Sequence, residues 1–114
     1  MPIWFLGKTI AGMLPEEGSV AVTFTDGSGM TIYNEVTTRG IPFSEFVGYR
    51  VVVEHWCPEF LRLELDDTKA IEILFQDDAW HSAEAVLYSG PDDQYMVVKE
   101  PPDGISIFKE DPNA

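Results

Sequence analysis

Apolar and polar residues alternate with a period of two in two separate stretches of this chain, which makes both of them β-hairpins. In the first, Val20, Val22 and Phe24 alternate with Ala21, Thr23 and Thr25. The turn Asp26-Gly27-Ser28-Gly29 follows, and then Met30 and Ile32 alternate with Thr31 and Tyr33. In the second, Leu61, Leu63 and Leu65 alternate with Arg62, Glu64 and Asp66. Asp67-Thr68-Lys69 forms the turn, and Ile71, Ile73 and Phe75 follow with Glu72 and Gln76 on the other side. Side chains on a strand point alternately to its two faces, so one face of each hairpin packs on a core and the other meets water.

A constant offset of 41 residues relates the hairpins without a gap. Gly7 matches Gly48, Asp26 matches Asp67, and Ile10 matches Val51; Val20, Val22 and Phe24 match Leu61, Leu63 and Leu65. This pattern reads as a tandem repeat of one β-unit, approximately 1–36 and 42–77. Between the units, Pro42 suits the first turn of a short helix and Gly48 its end. In the C-terminal third, Gly90-Pro91-Asp92-Asp93 and Pro101-Pro102-Asp103-Gly104 are turn sequences, so hairpins are expected over 84–108 and a frayed tail over 109–114. The expected fold is a single all-β domain of eight to ten strands with at most one short helix. Its strands form a mainly antiparallel meander closed as a roll, sandwich or partly open barrel.

The chain has 114 residues and 45% hydrophobic content, enough for one core without metal or disulfide staples. Twenty acidic residues against seven basic ones give a net charge of −13. Such a chain repels phosphate backbones and anionic lipid heads, so neither direct nucleic-acid binding nor membrane binding is expected. A basic protein partner would be attracted and its encounter accelerated. No run approaches the length of a membrane span, and the N-terminus lacks the pattern of a signal peptide. One cysteine, Cys57, forbids an internal disulfide and suits a reducing compartment, so a cytoplasmic location is expected.

The most reactive-looking run is Glu54-His55-Trp56-Cys57-Pro58-Glu59. On a strand His55 and Cys57 would share a face, and a metal site there would have to be completed by His81 or a carboxylate. A structural zinc site needs four ligands, and a cysteine nucleophile needs an electropositive setting that this chain lacks. The carboxylate pairs Asp66-Asp67, Asp77-Asp78 and Asp92-Asp93 fall at expected turns, where solvated aspartate is ordinary. Asp26-Gly27-Ser28-Gly29 has neither the lysine nor the following helix of a phosphate loop. Asn34 stands where the second unit has Phe75, as a buried polar anchor or as the end of a strand. No catalytic residues, cofactor or metal are therefore expected, and the chain does not read as an enzyme.

Interaction residues are expected where Trp80 and His81 stand among Asp77, Asp78 and Glu84. An aromatic anchor ringed by acids suits a basic partner, although Trp80 equally suits packing in the core. Two other readings are a DNA-mimicking inhibitor of a nucleic-acid-binding protein and a structural homodimer joined through edge strands.

Residues 48–108 resemble a family of small bacterial β-rich domains of unknown function. The likeness rests on Gly48-Tyr49-Arg50-Val51, on Leu61-Arg62-Leu63-Glu64-Leu65-Asp66-Asp67 leading to Ile71-Glu72-Ile73, and on Asp77-Asp78-Ala79-Trp80. It continues through Glu84-Ala85-Val86-Leu87, Gly90-Pro91-Asp92 and Val97-Val98. The usual Asp-Gly turn of that family is Asp67-Thr68 here. Some relatives of the family look like immunity proteins that neutralise bacterial toxins. The resemblance implies a β-rich, non-catalytic domain.

Overall fold

The computed structural model describes residues 3–110, and within them the chain is almost entirely β. Ten strands form: β1 (Ile10–Glu16), β2 (Ser19–Phe24), β3 (Gly29–Ile32), β4 (Val36–Thr37), β5 (Val51–Trp56), β6 (Phe60–Leu65), β7 (Ala70–Leu74), β8 (Val86–Ser89), β9 (Tyr95–Val98) and β10 (Ser106–Lys109). They make two five-stranded antiparallel sheets. Sheet one has the order β1-β2-β3-β8-β9, and sheet two the order β10-β5-β6-β7-β4. The inward rows read directly from the alternation. Met13, Val22, Met30, Tyr88 and Met96 lie side by side across sheet one, and all are buried. Leu61, Leu63, Ile71 and Ile73 do the same in sheet two.

The 41-residue offset extends to the backbone. β1 pairs with β2 and β5 with β6 in matching registers, each with an irregularity at the matching place, between Ile10 and Gly12 and between Val51 and Val53. The Gly7 N–H donates to the Val51 carbonyl and the Gly48 N–H to the Ile10 carbonyl, both at 2.8 Å. Thr9 and Arg50, themselves 41 apart, form a bridge. Beyond the hairpins the strands cross over. β4, which follows the first hairpin, pairs with β7 of the second. β8, which follows the second hairpin, pairs with β3 of the first.

The short helix expected after Pro42 is a 3₁₀ turn at Phe43–Phe46, with Gly48 just beyond it at φ 94°. A second 3₁₀ turn occupies Asp77–Ala79. The hairpins expected over 84–108 form only in part. β8 and β9 pair, but β10 leaves for the other sheet and pairs with β5, because Pro101-Pro102-Asp103-Gly104 carries the chain across. The tail expected to fray from 109 is bound for two residues more. Lys109 pairs with Val53, the Glu110 N–H donates to the Val52 carbonyl, and the Glu110 carboxylate meets Arg50 Nε at 3.0 Å. Residues 111–114 of that expectation lie outside the described residues.

Candidate functional site

The residues expected to bind a partner sit on the excursion between β7 and β8. Asp77 and Asp78 are exposed on the 3₁₀ turn, whose last residue, Ala79, is fully buried and accepts the Glu35 N–H at 2.8 Å. That hydrogen bond ties the excursion to the β3–β4 connection. Trp80 is half-buried. Its Nε1 donates to the Phe75 carbonyl at 3.0 Å, and its ring lies 6.2 Å from the Phe75 ring. Much of its anchoring surface therefore serves the core. His81 is exposed and Glu84 half-buried.

His81 also borders a cleft of about 230 Å³ at the open end of the two sheets, with Gly18–Val20, Tyr33–Val36 and Phe43 as the other walls. Asn34 stands in this lining. Its Nδ2 donates to the Leu74 carbonyl at 2.8 Å, while its Oδ1 is buried without a partner. Asn34 is thus a buried polar tie between the sheets and not merely a strand end.

His55 and Cys57 do not share a face. β5 ends at Trp56. His55 is half-buried on the outer side of sheet two, edge-on to Phe60 at 5.1 Å, while Cys57 is buried beyond the strand's end. Burial pushes the Cys57 thiol above its ordinary pKa, the opposite of what a nucleophile needs. Among the described residues, no three of His, Cys, Asp and Glu gather closely enough to hold a metal ion.

The residue that the alternation hides is Glu54. It is fully buried, yet four donors converge on its carboxylate: the N–H groups of Trp4, Phe5 and Leu6, and Trp56 Nε1. The irregularity between Val51 and Val53 shifts the phase of β5 and turns Glu54 inward. A signal was present in the offset, for Glu54 stands where the first unit has the core residue Met13. The role is structural, since this carboxylate pins the chain ahead of Gly7 to the core.

The cations are largely consumed within the fold. Lys8 pairs with Asp26, Lys69 with Asp67, and Arg50 with Glu110. Arg39 lies 3.8 Å from Glu72, and Arg62 reaches Glu64 at 3.5 Å and Glu72 at 3.4 Å. Lys99 and Lys109 are the cations without an ion-pair partner among the described residues. Exposed acids remain at Glu16 and Glu17, Asp77 and Asp78, Asp92 and Asp93, and Glu100 and Asp103. Among the described residues, no helix is long and apolar enough to cross a membrane. Comparison with protein-family models, with curated proteins and with solved structures finds no match.

Proposed function

We propose that this protein is a non-catalytic acidic binding domain that engages a basic surface on another protein in the bacterial cytoplasm, in the manner of an immunity-type toxin inhibitor. The observation that carries this reading is the distribution of charge. Five of the seven cations are tied to carboxylates of the same chain, whereas paired acids stand free in exposed connections. A surface of this kind accelerates encounter with a positive partner and rejects negative ones. The resemblance of residues 48–108 to a family of small bacterial β-rich domains, some of whose relatives look like immunity proteins, points the same way. The acidic turns stand at both ends of sheet one, with Glu16-Glu17 at one end and Asp92-Asp93 at the other. This fits a protein surface better than imitation of a single row of DNA phosphates.

The test is affinity capture from the source lysate across a salt gradient, with wild type and an Asp77→Asn, Asp78→Asn, Glu84→Gln variant. The reading expects one basic protein that is released as salt rises and captured more weakly by the variant. An empty column at low salt, or a partner indifferent to salt, would overturn it.

A further inference from the structure

The outer face of sheet one is uncharged across its two central rows, with Glu16 at its margin in β1 as the one carboxylate of these strands that faces outward. Two rows cross all five strands: Leu14, Ala21, Thr31, Leu87 and Val97, and beside them Gly12, Thr23, Gly29, Ser89 and Tyr95. All ten are exposed or half-buried, with Leu14 at 62% and Tyr95 at 64% exposure. Sheet two is different. Its outer face is laced by Arg62, Glu64 and Glu72. In a chain of net charge −13, ten contiguous outward positions without a carboxylate mark the one sheet face that two copies can bring together without placing like charges in the contact.

The order of side-chain sizes names the occupant. A two-fold axis lying along β3 sets each strand of one copy over its mirror-ranked strand in the other, β1 over β9 and β2 over β8. In the first row Leu14 then meets Val97, Leu87 meets the small Ala21, and Thr31 meets Thr31. In the second row Tyr95 meets Gly12, Thr23 meets Ser89, and Gly29 meets Gly29. The two bulkiest side chains near the middle and the edge, Leu87 and Tyr95, each find a small partner. A hollow of about 280 Å³ already lies over Gly29, between Ala21, Thr23, Thr31, Leu87 and Ser89. The acidic turns do not collide in this arrangement. The β1–β2 turn lies one and a half strands from the axis, so its copy stands three strands away, about 14 Å at ordinary strand spacing. That exceeds the screening length of about 8 Å at physiological salt.

We propose that the outer face of sheet one is a self-association surface on which a second copy of this chain docks, sheet against sheet, about a two-fold axis along β3. The face is about 24 Å wide at ordinary strand spacing. It has only two full rows, so it covers less than the roughly 800 Å² per partner of a standard interface. The dimer is accordingly weak and reversible, and rising salt strengthens it by screening the overall repulsion between two copies that each carry a net charge of −13. That sign is opposite to the salt response of binding to a basic partner, so the two proposals stand or fall separately.

Sedimentation velocity over a range of protein and salt concentrations tests this. A concentration-dependent dimer favoured by salt is expected. Thr31→Glu, which sets two carboxylates against each other on the axis, should abolish it, and Tyr95→Ala should weaken it at least tenfold. Ala70→Glu, which adds the same charge to the outer face of sheet two, should leave it intact. The decisive pair is Ala21→Leu and Leu87→Ala. These positions lie two strands apart within one chain, but face each other across the axis. Each change alone should weaken the dimer, and the double variant should restore it. A monomer at every concentration in high salt overturns the proposal. So does a dimer that survives Thr31→Glu, or a double variant no better than its parents. Circular dichroism of each variant shows that it is folded.

Discussion

The N–H of Phe5 donates to Glu54 Oε1 at 2.7 Å, joining a fully buried ring to a fully buried carboxylate 49 residues away. Phe5 in turn packs against Phe24, Trp56 and Tyr88, so this one contact secures the aromatic centre of the core. Glu54→Gln keeps the shape but replaces one acceptor oxygen by an amide that points hydrogens at hydrogens. A loss of about 2–3 kcal/mol is expected, as for other buried donors left without acceptors. Urea denaturation monitored by tryptophan fluorescence measures it; a loss within experimental error would mean that the four donors need no carboxylate.

Acid should weaken the fold in part through Asp26. Burial opposes its charged form, but hydrogen bonds from Lys8, from the Ser28 hydroxyl and from the Ser28 N–H outweigh this and hold its pKa at about 2, against an ordinary 3.8. A carboxyl whose pKa is lower in the folded state stabilises the fold fully above the unfolded value. That contribution is lost as pH falls from about 4 towards 2. The pair is partly open to solvent, so the contribution is at most about 1 kcal/mol. Asp26→Asn should flatten the acid limb of the stability curve, and thermal melts across that pH window will register the difference.

Thr68 occupies the left-handed region at φ 77°, at the position where the first hairpin has Gly27 at φ 89°. A β-branched residue is strained there, whereas glycine is not. Thr68→Gly should stabilise the protein by about 1 kcal/mol, and Gly27→Thr should destabilise it by a similar amount. Opposite shifts in melting temperature are the expected result. Shifts of the same sign would show that the two turns are not equivalent.

Cys57 should react slowly. The thiol is buried and burial raises its pKa, so little thiolate is present near neutral pH. Alkylation by iodoacetamide followed by mass spectrometry should be slow in buffer and fast in urea. Equal rates in both would mean that the thiol is open to solvent and would reopen a chemical role for the run around His55.

The hairpins were legible because alternation is a local signal, and each apolar ladder named its own inward face. Leu61, Leu63, Ile71 and Ile73 are buried as their pattern requires. Glu54 was not legible from alternation. One irregularity at Val52 inverts the phase of β5, and only the pairing with β6 reveals it. The segment holding Asp77, Asp78, Trp80, His81 and Glu84 was recognisable as an exposed acidic loop, but the docking of Trp80 on Phe75 depends on a ring that the alternation had assigned only to the core.

By itself the sequence determined the strand content, the two hairpins and their turns, because each depends on residues close together in the chain. Only the tertiary structure decided that β4 and β8 exchange between the sheets, that β10 departs from β9 to pair with β5, and that Glu54 is buried while two full outward rows of sheet one carry no charge. Those features depend on which strands become neighbours. Neighbours are chosen by burying apolar faces across long separations in sequence, and that choice is not written in any local pattern.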